Sequence, residues 1–155
     1  VQGIVDFAVL YNADVIIFEY LDKFPKIKGN KSKKIRMKLQ LWAKIAVQNK
    51  VEHKAHSYGI RVNRVSAKNT SALAFDGSGK VNRDKTNASL CTFTTGKQYN
   101  CDLNASYNIG SRYYIREIEK ATSVKRWSEI VAKVPQVMRR TECTLSTLIS
   151  LIKVV

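Results

Sequence analysis

The sequence predicts an α/β layered domain with one irregular insertion and a helical C-terminal tail. Three observations predict it. Helical apolar spacing alternates with short β-branched runs over residues 2–65, both periodicities vanish over 66–100, and amphipathic helical spacing returns from Asp102 onward. A length of 155 residues allows one domain, and 45% hydrophobic residues suffice for a core, which excludes a disordered polyelectrolyte. Two prolines and seven glycines exclude collagen-like and low-complexity chains.

Ile4, Phe7, Ala8 and Tyr11 stand at helical spacing, with Asn12 as a stop signal. Asp14 then opens the apolar run Val15-Ile16-Ile17-Phe18, which ends in Glu19-Tyr20 and predicts a buried strand of a mostly parallel sheet. Residues 31–58 predict a long helix with Ile35, Leu39, Trp42, Ile45 or Ala46 and Asn49 on one face, which assigns Trp42 to the core. Gly59 suits its C-cap. Ile60, Val62 and Val65 alternate with Arg61, Asn63 and Arg64, a second strand. The Ser-, Thr-, Asn-, Gly- and Lys-rich stretch 66–100 admits at most short hairpin strands at 71–75 and 90–93. The helix opening at Asp102 continues through Tyr113, Ile115 and Ile118. A short helix at 127–133, a break at Pro135 and a last amphipathic helix over 144–153 complete the chain.

Lys and Arg number 27 against 12 Asp and Glu, a net charge of +15, so the expected partner is a polyanion, nucleic acid ahead of membrane. The longest apolar stretches, 15–18 and 148–155, fall short of the roughly 18–20 residues that span a bilayer. Cys91, Cys101 and Cys143 form no CxxC pair and make neither a disulfide framework nor a zinc knuckle; thiols in a reducing cytoplasm are expected. The chain starts at Val1 without a basic-then-apolar leader, which predicts no secretory signal and the tail of a longer protein. No small-molecule substrate is evident.

Lys23, Lys26, Lys28, Lys31, Lys33, Lys34, Arg36 and Lys38 crowd one segment. Such a run is either a solvated loop or a nucleic-acid path, and the whole-chain excess favours phosphate contact. Arg61, Arg64 and Lys68 flank the second strand and would guide a nucleic-acid strand. Arg112, Arg116, Lys120, Lys125 and Arg126 extend the positive face beyond Asp102, while His53 and His56 are expected on a helix surface.

Two of the 12 carboxylates stand apart. Glu19 follows four buried-type residues at the carboxyl end of a strand, where α/β sheets place ligand crevices. Its alternative is a strand-end side chain turned to solvent. Asp102 opens an amphipathic helix, as either an N-cap or a ligand. Both offer the hard oxygen donors that Mg²⁺ prefers. Two-metal phosphodiester cleavage uses ions roughly 3.5–4 Å apart and normally needs a third carboxylate, for which this chain has no persuasive candidate.

The ordered segments carry a resemblance. Val5-Asp6-Phe7-Ala8 followed by Ala13-Asp14-Val15-Ile16-Ile17-Phe18-Glu19-Tyr20-Leu21 resembles the second RuvC motif of TnpB-like (OrfB-type) transposon-encoded nucleases. Lys54-Ala55 and Gly59-Ile60 resemble the family's approach to its next strand, and VSAKNTS from Val65 resembles the stretch that introduces its zinc ribbon. Asn100-Cys101-Asp102-Leu103-Asn104-Ala105-Ser106-Tyr107-Asn108-Ile109 is similar to the third RuvC motif, D-x-N-A-A-x-N-I. The resemblance covers roughly residues 2–115. It implies the C-terminal part of a ribonuclease H-like (RuvC) fold, with kinship to type V CRISPR effectors. The implied activity is RNA-guided, Mg²⁺-dependent DNA cleavage in a prokaryotic, nucleoid-associated setting. The implied partners are DNA and a guide RNA, with no membrane. Glu19 and Asp102 would be the catalytic, metal-binding carboxylates, and the family's first aspartate would lie upstream of Val1, so this chain alone should not cut DNA. Residues 1–65 would hold the second motif, 66–100 a degenerate zinc-ribbon-like insertion, 101–122 the third-motif helix and 123–155 the helical tail.

The ribbon departs from the family. Its two cysteine pairs would fall near Ala74 and Gly77 and near Thr92 and Thr95, none of which is cysteine, so zinc is not expected. Phe75, Phe93, Tyr99 and the turns at Asp76-Gly77 and Thr95-Gly96 are expected to hold the hairpins instead. The competing function is a basic DNA- or RNA-binding module without nuclease activity.

Overall fold

The computed structural model describes residues 1–21 and 31–155, Lys31 through its backbone alone. Lys23, Lys26, Lys28 and the side chain of Lys31 therefore lie outside the described residues. The chain forms two compact units, Val1–Arg64 and Val65–Val155. Helices and small sheets make it a mixed α/β chain.

In the first unit, α1 (Gln2–Leu10) ends where Asn12 takes a left-handed φ of 50°, which asparagine tolerates better than most residues. The amide of Ala13 then donates to the Ala8 carbonyl at 2.8 Å and turns the chain into β1 (Val15–Tyr20). α2 (Lys31–His56) stops at Gly59, whose φ of +72° is the left-handed geometry a helix C-terminus uses. The Ile60 amide closes onto the Ala55 carbonyl and leads into β2 (Arg61–Ser66), which pairs with β1. Ala8, Ala55 and Ile60 form the small core, with Ala13, Ile16 and Val62 packed against it.

Two expectations need correction here. Val15 through Glu19 are half-buried rather than buried, because β2 is the only strand that pairs with β1 among the described residues. The α2 face expected in the core is the exposed one: Ile35 and Leu39 are each 59% exposed and Trp42 is 65% exposed. The buried face carries Gln48, Val51 and Ala55, on the opposite side of the helix at about 100° per residue.

The second unit begins with the irregular stretch, in which β3 (Asn82–Arg83), β4 (Leu90–Thr92) and β5 (Gln98–Asn100) form an antiparallel sheet with Cys91 opposite Tyr99. β4 matches the expected hairpin strand, whereas residues 71–75 contribute only the Leu73–Lys80 bridge. α3 (Cys101–Ala121), α4 (Val124–Lys133), a 3-10 turn (Pro135–Met138) and α5 (Leu145–Ile152) follow. Ile115, Ile130, Val134, Val137, Cys143, Leu148 and Leu151 share the core of this helical part, with Trp127 packed beside it.

Two devices join the insertion to the helices. Arg112 of α3 is 6% exposed and donates to four backbone carbonyls, those of Ser66 (2.9 Å), Lys68 (2.6 Å), Thr141 (2.7 Å) and Cys143 (3.2 Å). It stitches the end of β2 to the segment before α5. Gly77, at φ +81°, lies so near α5 that a Cβ there would sit 3.1 Å from Ser146, while the Ser146 amide donates to the Phe75 carbonyl at 2.9 Å.

Candidate functional site

Glu19 sits near the end of β1, half-buried, and α2 fixes it through its backbone. The side-chain amide of Gln48 donates to the Glu19 carbonyl at 3.0 Å, and its oxygen accepts from Arg64 Nε at 3.3 Å. Arg64 also bonds Glu52 at 2.7 Å and Asn49 at 3.5 Å. The Arg64 hydrogen bond holds the Glu52 carboxyl below its ordinary pKa. Gln48, which the sequence did not flag, thus positions the strand end that carries Glu19. Its one sequence signal is its place in the Gln48–Val51–Ala55 helical stripe.

Asp102 lies in the first turn of α3, exposed to solvent. The N-cap is Asn100, not Asp102: the Asn100 side chain accepts from the amides of Asp102 (2.9 Å) and Leu103 (3.0 Å). β5 runs to Asn100 and buries Cys101 beyond it, which sets the helix start two residues earlier than the apolar pattern suggests. Among the described residues, the Asp102 carboxylate makes no hydrogen bond or ion pair. It is left to favour the positive end of the helix or to meet a ligand.

About half a turn and not quite two turns further on, Asn104 and Asn108 are fully buried. Asn104 accepts from the Phe75 amide and donates to the Leu73 carbonyl, both at 2.8 Å, and Asn108 donates to the carbonyls of Thr70 (2.9 Å) and Leu73 (2.8 Å). The two asparagines therefore satisfy backbone groups of residues 70–75 and hold the insertion against the helix that presents Asp102.

The insertion has its own core of Ala74, Cys91, Phe93 and Cys101, with Phe75, Val81 and Tyr99 against it. Phe75 meets Phe93, Tyr99 and Tyr107 edge-on at 5.0–5.4 Å, and the Lys97 ammonium lies 5.0 Å from the Phe75 and Tyr99 ring centres. Gly77 and Gly96 take the positive φ their turns require. The aromatic packing and turns are therefore in place as the sequence suggests.

Burial, and secondarily a hydrogen bond with the Cys101 thiol, pushes the Cys91 pKa up to about 11. Folding thus favours the neutral thiol. That contribution is present at neutral pH and is lost as pH rises from about 9 through 11. Native protein at pH 8 should show Cys91 reacting with iodoacetamide about a hundredfold or more slower than free cysteine, and reacting normally in urea. Rapid native labelling would mean that this core opens freely.

Of the cations singled out in the sequence, Lys33, Arg36, Arg61 and Lys68 are exposed and Lys34 is half-buried. Arg64 is committed to Glu52, Gln48 and Asn49. A cavity of about 650 Å³ in the second unit lies between residues 69–80 and 135–150. At its edge Arg139 pairs with Glu142 at 3.3 Å. Among the described residues no three His, Cys, Asp or Glu side chains cluster as a metal site would, and no helix is long and apolar enough to cross a membrane.

Residues 45–109 match the family model of the Cas12f1-like TNB domain, a domain related to TnpB and type V Cas12f proteins. The matched segment runs from the C-terminal half of α2 through β2 and the three hairpin strands to Ile109 of α3. It includes Arg61, Arg64, Lys68 and the Asp102–Asn104–Asn108 motif, and it leaves Glu19 and the start of α2 outside. No curated protein matches the chain.

Proposed function

We propose that this chain is a portion of a TnpB/Cas12f-related, RNA-guided DNA endonuclease. One observation carries the proposal: the family match extends unbroken into the helix turn that bears Asp102. The net charge of +15 supports a nucleic-acid partner, DNA together with a guide RNA. In this reading Glu19 and Asp102 are the carboxylates that hold Mg²⁺ in a RuvC-like site. Bound magnesium would supply charge stabilisation for phosphodiester hydrolysis. The donor atoms suit magnesium in kind but fall short in number, since the described residues hold no cluster of three ligands. Cleavage therefore requires a further carboxylate, and the chain by itself binds without cutting. That shortfall also favours the second reading, a nucleic-acid-binding module with no nuclease role. In both, the insertion keeps its shape without zinc, and elemental analysis finding about one zinc per chain would refute that part.

The test is fluorescence anisotropy with labelled single- and double-stranded oligonucleotides across a salt series. Log affinity should fall with log salt by about 0.7–0.9 per phosphate contacted, and Arg61→Ala or Lys68→Ala should each reduce the slope by about one. Binding that is absent, or insensitive to salt, would defeat both readings.

A further inference from the structure

The first half of α2 looks wrong for a helix that faces only water. Residues 31–51 hold Lys31, Lys33, Lys34, Arg36, Lys38, Lys44 and Lys50 with no acidic residue. Lys34 and Lys38 stand one turn apart, and Lys33 and Lys34 lie in the first turn, at the positive end of the helix dipole, both arrangements that cost free energy in a solvated helix. No residue from 32 to 47 is buried. Ile35, Leu39 and Trp42 line up at helical spacing on the face opposite the packed one. An apolar stripe with Lys38 on one flank and Arg36 on the other, and no acidic residue beside it, is exposed.

A polyanion with flat apolar faces would correct every one of these features. Its phosphates would neutralise the lysines, and its bases would cover the stripe, with the indole as the largest π surface. Double-stranded DNA offers phosphates but keeps its bases stacked inside. An apolar protein surface would cover the stripe but leave the lysines uncompensated.

We infer that α2 binds single-stranded nucleic acid, with a base stacked on Trp42 and the backbone tracked by Lys34, Arg36 and Lys38. This rests on the nucleic-acid reading above and adds to it a strand type, a surface and a stacking residue outside the family-matched segment. The exposed position means that Trp42 can be replaced without opening a core. Ile35 and Leu39 form the adjoining apolar floor.

The probe is a single-stranded oligothymidylate about 20 nucleotides long, with the equivalent duplex as comparison. Trp42 and Trp127 are the two tryptophans of the chain, so a Trp127→Phe background makes Trp42 the sole indole. Its fluorescence should be quenched by the oligothymidylate and far less by duplex. Trp42→Ala should weaken single-strand binding about 5- to 150-fold, the range of one base–aromatic stack, with little change in the salt slope. Trp42→Phe should restore much of the loss and Trp42→Leu should not, since leucine replaces the apolar area without the ring. Full rescue by leucine, or unchanged affinity in Trp42→Ala, overturns the inference while the nucleic-acid reading stands. Wild-type protein that binds no oligonucleotide overturns both. If sedimentation instead shows self-association that Trp42→Ala abolishes, with nucleic-acid affinity unchanged, the stripe is an interface between copies and the inference fails.

Discussion

Replacing Glu19 or Asp102 with alanine, in an active nuclease that contains this chain, is expected to lower Mg²⁺-dependent cleavage by at least about a hundredfold. Nucleic-acid affinity should stay within about threefold. Metal-held charge stabilisation is worth several kcal/mol in the transition state, and each 1.36 kcal/mol is a factor of ten in rate. Of the two, Asp102 gives the cleaner test. Asp102 is exposed and does not cap its helix, so alanine removes a carboxylate and at most a small favourable interaction with the helix dipole. Glu19 is tied to α2 by its backbone carbonyl, which alanine keeps. A single-turnover assay on a labelled duplex, with filter binding in parallel, separates chemistry from binding. Full cutting by both variants would remove the metal assignment, while loss of cutting and binding together would point to misfolding. Asp102→Asn is a useful companion, since it keeps the shape and loses the charge.

Local periodicity was enough to order the elements, and it failed where a partner decides the outcome. The helical spacing of Ile35, Leu39 and Trp42 correctly showed that they share a face. It could not show whether anything in the chain covers that face, and nothing among the described residues does. The covered face is built around Gln48, a polar residue satisfied by the Glu19 carbonyl and Arg64, so its burial depends on groups 29 and 16 residues away. The start of α3 misled for a different reason. Asn100 and Asp102 are both good caps, and the hydrogen bonds of the preceding strand, invisible to helical periodicity, chose between them. The aromatic hairpin core was legible because it depends on neighbours and turn residues: Phe75, Phe93 and Tyr99, with Gly77 and Gly96 at the bends. Asn104 and Asn108 stood out in the sequence only as members of a motif, because the carbonyls they meet in residues 70–73 lie more than 30 residues away and leave no local signal.

Arg112 is the most consequential residue that the sequence disguised, since it read there as part of a positive face. Arg112→Met is expected to destabilise the second unit by about 3–5 kcal/mol, the range for breaking a buried, charge-assisted network. Methionine fills much of the volume and leaves the carbonyls of Ser66, Lys68, Thr141 and Cys143 without their donor. Any that stay dry carry an unmet desolvation cost of about 1–3 kcal/mol. Arg112→Lys should recover only part of this, because an ammonium cannot reproduce the planar fork that reaches carbonyls on both sides. For a chain of this size a loss of about 3–5 kcal/mol corresponds to a fall of roughly 6–20 °C in Tm. Thermal unfolding followed by circular dichroism would measure it, with Lys120→Ala as a control whose surface pairing to Glu117 should leave Tm essentially unchanged. An Arg112→Met protein that melts with wild type would mean that water replaces the guanidinium at all four carbonyls. The consequence reaches the proposed chemistry, because the same helix presents Asp102. Loosening its anchor to residues 66–68 and 141–143 should blur the position of that carboxylate even where the chain stays folded. Cleavage by an Arg112→Lys nuclease should therefore fall more than its modest loss of stability accounts for.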